Sequence, residues 1–399
     1  MRITCAHCKS ILEGEGGAAE LVCPVCTHTI AVGGADGAGA ASPPGAQKRS
    51  GNILSEVFKK HKASEIEEYF MVGAERTTPD IFSVDLRWPR PWIFGRLLLT
   101  GVLAYWVLVK LFEHEIIGLN NVSSIPNIFI VGSFVVPLAS AVLFFELNAR
   151  RNVSLYQILK LIFMGGLLSL LLSTFFCEVE PWLIKTFGIS ERWQASLAGP
   201  IEETAKLVSV LLVMRGARYR YVLNGMLFGA AVGVGFAMFE SAGYALRCFL
   251  QSYAVSVGNG TVELINSNQL TGAAFHGQVI VKGMKGAFES MNHVIVLRGV
   301  LAPLGHVAYS AIAVGAMWRI RGGRPFSLPM LWDFRFVSLF VIAVACHAFW
   351  NSPLLDVEGI PWTKVTIVAA VEWLVIGIMI RGGLRQIRRE QEEIVGEDC

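Results

Sequence analysis

The stretch YVLNGMLFGAAVGVGFAMFESAGYAL, residues 221–246, decides what kind of protein this is. A helix of about 20 apolar residues crosses a hydrocarbon layer about 30 Å thick. This run exceeds that length and carries one charged residue, Glu240. A soluble helix of the same length would need a charged face. Within the run, Gly225, Gly229 and Gly233 recur at every fourth position. That spacing lays small residues along one helix face, where a second membrane helix approaches closely.

The rest of the chain has the same character. Of its 399 residues, 53% are hydrophobic and only 16% are charged, against about 25% charged in an ordinary soluble domain. The mean hydropathy is +0.52. A soluble globular enzyme, a disordered chain and a coiled-coil rod are excluded. The formal net charge of +3 is too small to argue for nucleic acid. Apolar runs predict further spans near 92–112, 125–147, 154–176, 195–214, 293–318, 336–352 and 359–380, about eight helices with 221–246 included. Residues 177–194 have room for a half-helix, and 247–292 read as a connection that could act as a lid or an exosite. The expected fold class is an all-α polytopic membrane protein with a small N-terminal zinc ribbon.

Basic residues follow the even-numbered spans: Arg150 and Arg151, then Arg215, Arg218 and Arg220, then Arg319, Arg321, Arg324 and Arg335, then Arg381, Arg385, Arg388 and Arg389. Cytoplasmic loops are enriched in Lys and Arg, so both termini are expected in the cytoplasm of a multi-pass protein of the cell (inner) membrane. The opening residues MRITCAHC have no apolar segment of the signal-peptide kind.

The N-terminal 30 residues carry two CxxC pairs, Cys5 with Cys8 and Cys23 with Cys26. Four thiolates close a tetrahedral structural zinc site, and they need a reducing compartment, which agrees with a cytoplasmic N-terminus. The expected organisation is a zinc ribbon at 1–30, a Gly/Ala/Ser/Pro linker at 31–51, a juxtamembrane amphipathic segment at 52–91, a transmembrane domain at 92–380 and a cytosolic tail at 381–399. The ribbon is too small for catalysis and is expected to dock a cytosolic partner or to sense metal or redox state. The topology also brings Cys177 and Cys248 to the outer ends of spans three and five, where a disulfide is expected.

Charged groups inside a bilayer are costly, so they mark function. Four spans carry ionisable residues: Glu202, Glu203 and Lys206 in the fourth, Glu240 in the fifth, His306 in the sixth and His347, with Asn351 one turn on, in the seventh. At 1.5 Å per helical residue all lie in the outer half of the bilayer, with His306 near the middle of its span. Carboxylates and imidazoles suit two kinds of hydrolysis. They ligate zinc, and a buried Glu can act as a general base without metal. The same residue types also serve proton- or ion-coupled transport, a non-catalytic receptor, or ion pairs that lock helices together.

The motifs in order are EETAK at 202–206, FAMFE at 236–240, His306 and HAFWN at 347–351. This set resembles the PrsW family of intramembrane proteases, distant relatives of the CAAX-processing endopeptidases of the ABI group. The resemblance implies a membrane-embedded endopeptidase that cuts membrane proteins, of the anti-sigma-factor kind, near their extracytoplasmic side. It implies that Glu202 or Glu203 activates water, that Glu240, His306 and His347 complete the site, and that a catalytic zinc would be held among Glu203, Glu240, His306 and His347. Lys206 would orient a carboxylate. Asn351 stands where the PrsW pattern has Asp and the CAAX-type pattern has Asn, and would polarise the scissile carbonyl.

Overall fold

The computed structural model describes residues 2–4, 11–13, 20–22, 29–31, 58–60, 70–113, 124–214, 218–266, 272–355 and 361–397. The chain divides into two compact units, Met1–Gly51 and Asn52–Cys399. In the first, two antiparallel hairpins form. Strand β1 (Arg2–Thr4) pairs with β2 (Ile11–Glu13), and β3 (Glu20–Val22) pairs with β4 (Thr29–Ala31). Cys5, Cys8, Cys23 and Cys26, residues 32–51 of the linker and most of 52–69 lie outside the described residues.

The second unit is helical among the described residues. Its helices are α1 (Ile93–Glu113), α2 (Ser124–Leu147), α3 (Leu155–Cys177), α4 (Glu180–Phe187), α5 (Ala198–Val213), α6 (Val222–Asn266), α7 (Gly272–Ile295), α8 (His306–Arg321), α9 (Phe334–Trp350) and α10 (Pro361–Glu397). Five of them are long and apolar enough to cross a membrane: α1, α2, α3, α6 and α10. The protein is therefore a multi-pass membrane protein. Helices α5, α8 and α9 are shorter, at 16, 16 and 17 residues. At 1.5 Å per residue each spans about 25 Å, less than the full hydrocarbon thickness.

Helix α6 lies at the centre and packs against α2, α3, α7 and α8. The Gly225, Gly229 and Gly233 face explains how closely. A Cβ at Gly229 would stand 2.0 Å from the Ser310 carbonyl oxygen, and one at Gly233 would stand 2.5 Å from that of His306. The start of α6 is fixed by a buried amide cluster. Asn224 bonds to Asn148 at 3.2 Å, accepts from Asn152 at 3.1 Å and donates to it at 2.6 Å. Helix α3 contains a π-helical segment, Leu161–Gly165, and Ser209 of α5 donates to the Gly165 carbonyl at 2.6 Å. At the start of α1 the buried Glu146 carboxylate accepts from the N–H groups of Trp92, Ile93 and Phe94 at 2.8, 3.0 and 2.9 Å. It satisfies donors that a helix cannot bond internally. Asp333 caps α9 by accepting from the Arg335 N–H at 2.9 Å. Hydrogen bonds from the Arg335 side chain hold the Asp333 carboxyl down to about 2.

Several expectations change here. Residues 247–292 form no open loop among the described residues. Helix α6 runs on to Asn266, and α7 begins at Gly272. The sixth span does not run unbroken from 293 either. Its first part is a π segment, Val296–Val300, and a 3-10 turn, Ala302–Leu304, so His306 opens a helix rather than sitting mid-span. Non-helical backbone at membrane depth is tolerated only where protein or a watery cavity surrounds it, and this segment lines the cavity described below. The C-terminal residues are no free tail: α10 continues to Glu397. There Leu384 and Ile387 are buried, and Gln386 and Glu390 bond to the Val222 N–H and the Tyr221 hydroxyl. Cys177 and Cys248 are unbonded thiols, so the expected disulfide is not formed.

Candidate active site

Four helices converge on one cluster. Helix α5 supplies Glu202, Glu203 and Lys206, α6 supplies Glu240, α8 supplies His306 and α9 supplies His347. The backbones reach this closeness through small residues. A Cβ at Gly199, one turn before Glu203, would stand 2.8 Å from the Ala348 nitrogen, beside His347.

Lys206 is wholly buried and stands among three partners. Its Nζ is 2.8 Å from Glu203 Oε1, 3.4 Å from Glu202 Oε2 and 3.0 Å from His306 Nδ1. It also lies 4.0 Å above the Phe236 ring, a cation–π contact that helps to hold an ammonium away from water. Glu203 is fully engaged. Besides Lys206 it contacts His347 Nδ1 at 3.0 Å and accepts from Ser310 Oγ at 3.3 Å. Glu240 faces His306 Nε2 at 2.8 Å on one oxygen and Arg298 at 2.6 Å on the other. The imidazole contact is off-line, so that Glu240 Oε2 has no well-aligned hydrogen bond.

These partners fix the imidazole tautomers. A carboxylate only accepts and an ammonium only donates. His347 therefore carries its proton on Nδ1, toward Glu203, and His306 carries its proton on Nε2, toward Glu240. Each ring then turns its unprotonated nitrogen toward Glu202, that of His306 also accepting from Lys206 Nζ at 3.0 Å. His306 Nδ1 and His347 Nε2 each lie 3.7 Å from Glu202 Oε2. Among the described residues Glu202, His306 and His347 form a group whose ligand atoms lie within 4.8 Å of one another. Two imidazoles and a carboxylate are a donor set that zinc accepts, and a carboxylate behind each imidazole is the usual arrangement around a metal-bound histidine. The donors fit a catalytic metal.

A cavity of about 260 Å³ opens onto this group, lined in part by Glu202, Glu240, Arg298, His306, Tyr309 and His347. Asn351 also lines it and ends α9, where its N–H donates to the His347 carbonyl at 3.2 Å. The structure thus gathers Glu202, Glu203, Lys206, Glu240, His306 and His347 into direct contact and places Asn351 at the cavity wall. Glu203 and Glu240 stand behind the histidines, and Glu202 stands beside their bare nitrogens.

The sequence reading passed over four residues of this neighbourhood. Arg298 pairs with Glu240 and stacks on Tyr244 at 4.1 Å. Ser310 bonds Glu203, and the Tyr309 ring stacks on His347 at 4.8 Å. Glu372 of α10 is completely buried. More than four spans therefore carry ionisable groups. AAVEWLV at 369–375, a carboxyl in the middle of an apolar run, was the signal that could have found Glu372. Ser310 and Tyr309 gave no such signal, since hydroxyls are ordinary in membrane helices.

Fold and site together define a polytopic helical membrane protein with a buried carboxylate–imidazole centre of the kind that hydrolyses bonds. The family model of the PrsW family intramembrane metalloproteases matches residues 154–379. That match covers more than half of the chain, and the chain belongs to this family. It is accordingly an intramembrane peptidase acting on membrane-protein substrates. No curated protein and no solved structure matches it.

Proposed function

We propose that this peptidase cleaves membrane proteins, of the anti-sigma-factor kind, near their extracytoplasmic side, with water activated at the Glu202, His306 and His347 group. The observation that carries the reading is the convergence of two bare imidazole nitrogens on the Glu202 carboxylate at 3.7 Å.

Glu202, His306 and His347 would hold a zinc ion. When bound there, zinc supplies Lewis acidity toward a water and toward the scissile carbonyl. The chain's own residues do the remaining work. Glu203 and Glu240 orient the two rings from behind. Lys206 balances the charge of Glu202 and Glu203, which would otherwise repel each other in a medium of low dielectric. If no metal is held there, Glu202, at the cavity, is the carboxylate that would take a proton from the attacking water, whereas Glu203 is occupied by three partners. Asn351 stands at the cavity wall as an amide donor toward the carbonyl oxygen.

The proposed topology has eight crossings, with α5, α8 and α9 as the short ones, and both termini in the cytoplasm of the inner membrane. The N-terminal unit would hold structural zinc on Cys5, Cys8, Cys23 and Cys26 and dock a cytosolic partner. Mapping new N-termini in membranes from cells carrying wild type, Glu202→Gln or Glu203→Gln tests the activity. Termini near the outer ends of other proteins' spans, lost in both variants, are expected. Identical maps from wild type and both variants would overturn the protease reading in favour of transport or reception at the same cluster.

A further inference from the structure

Arg298 stands in the interrupted stretch before α8, on the π segment Val296–Val300. A cation at membrane depth is costly and marks function. This one reaches across to α6. Its guanidinium lies 2.6 Å from Glu240 Oε1 and 4.1 Å above the Tyr244 ring. Glu240 and Tyr244 are four residues apart on α6 and so share a face. A planar guanidinium suits such a pair, because it meets a carboxylate with its edge and stacks on an aromatic ring with its face.

The backbone that carries Arg298 is seated on a different helix. A Cβ at Gly299 would stand 2.5 Å from the Gly132 carbonyl oxygen of α2. The segment is thus pressed against α2 at residue 299, while the side chain of residue 298 is held by α6. The other Glu240 oxygen, Oε2, faces His306 Nε2 at 2.8 Å. A carboxylate is planar, so holding one oxygen restricts where the other can stand. Arg298, Glu240 and His306 therefore form a chain of contacts that ends on the ring whose Nδ1 lies 3.7 Å from Glu202. His347 has matching support in Glu203, which Lys206 and Ser310 hold in place. Arg298 stands to Glu240 as Lys206 stands to Glu203.

We propose that Arg298 is the positioning residue of the His306 half of the centre. It holds Glu240 by one oxygen, with the Tyr244 ring as its platform. Glu240 in turn holds the His306 ring with Nδ1 directed toward Glu202. Arg298 acts through Glu240 and touches no reacting atom. The inference rests on the protease reading above.

The test uses the full chain in bilayers with a membrane-spanning model peptide, labelled by a fluorophore and quencher on either side of its outer juxtamembrane segment. Arg298→Met is expected to lower kcat about tenfold with KM unchanged, a loss equivalent to about 1.4 kcal/mol. In a Glu240→Gln background the same change should cost less than about twofold more, since residues that act through one contact are non-additive. A second readout needs no activity. Nitrogen NMR of the metal-free protein, labelled at histidine, reads each imidazole, with lines assigned by His306→Gln and His347→Gln. Arg298→Met should move the His306 line and leave the His347 line, whose ring Glu203 supports, in place. Wild-type kcat in Arg298→Met, losses that multiply in the double variant, or both histidine lines moving together would overturn the proposal. Should Arg298→Met not fold, Arg298→Gln decides by the same readouts. Glu203→Gln separates the two readings. If it cleaves as wild type does, the protease reading fails. If cleavage needs Glu203 but ignores Arg298, only this inference fails.

Discussion

Gly229→Ala is the sharpest probe of how the helices build the centre. The added Cβ would stand 2.0 Å from the Ser310 carbonyl oxygen, with the Ser310 carbonyl carbon at 2.6 Å and the Val314 Cβ at 2.9 Å. The first two atoms are backbone, so no side chain can swing aside. Ordinary van der Waals contact begins at 3.4 Å, so α8 must move from α6 by more than 1 Å at this level, a shift worked out from the 2.0 Å contact. Ser310 stands one turn from His306 on α8 and bonds Glu203 at 3.3 Å. The displacement therefore reaches both His306 and the Ser310 bond. A misplacement of about 1 Å at catalytic groups costs on the order of a hundredfold in rate. The assay is cleavage of the membrane-spanning peptide in bilayers, with Gly243→Ala as control. Gly243 is on the same helix, and a Cβ there meets nothing within 4 Å. A hundredfold loss in Gly229→Ala with full activity in Gly243→Ala is expected. Equal activity in the two would refute the claim that close α6–α8 contact sets the site geometry.

Other expected outcomes follow from single contacts. Lys206→Met strips the counter-charge from Glu203, which is wholly buried. Breaking a buried pair on one side costs about 3–5 kcal/mol, so heat-inactivation midpoints in detergent should fall and cleavage should vanish. Glu146→Ala frees three N–H groups at the start of α1. It should destabilise the chain by about 1–3 kcal/mol while leaving KM for the peptide unchanged. Asp333 has its folded carboxyl held down to about 2 by Arg335, below the ordinary value of about 3.9. Its cap is then fully present above the ordinary range and fades only as pH falls through about 2. The gap in heat-inactivation midpoint between wild type and Asp333→Ala should stay constant from neutral pH down to about 5 and close only below that. Cys23→Ser should remove zinc from the N-terminal unit, read by metal analysis, and leave cleavage of the peptide unchanged.

The positions of the chemistry were legible before the structure. A bilayer admits few charged residues, so Glu202, Glu203, Lys206 and Glu240 stood out against apolar surroundings. Their motif order with His306 and HAFWN at 347–351 marked the family. The long helices were legible for the same reason, since hydropathy acts on each run separately. The extension of α6 to Asn266 was not, because residues beyond 246 are too polar for a span. Helix formation there is local and does not depend on crossing the membrane.

Sequence alone thus determined the membrane class, the glycine face and most of the cluster's membership, because each is written in residue type and spacing along one helix. The division of labour inside the cluster was decided by tertiary structure. Glu202 and Glu203 are neighbours in the chain, yet they point about 100° apart on the helix. Only the packing of α8 and α9 places one beside two bare imidazole nitrogens and the other behind His347. Glu372 shows the same limit from the other side. Its burial against Tyr309's helix follows from how α10 packs, and no pattern within α10 says which polar group it will meet.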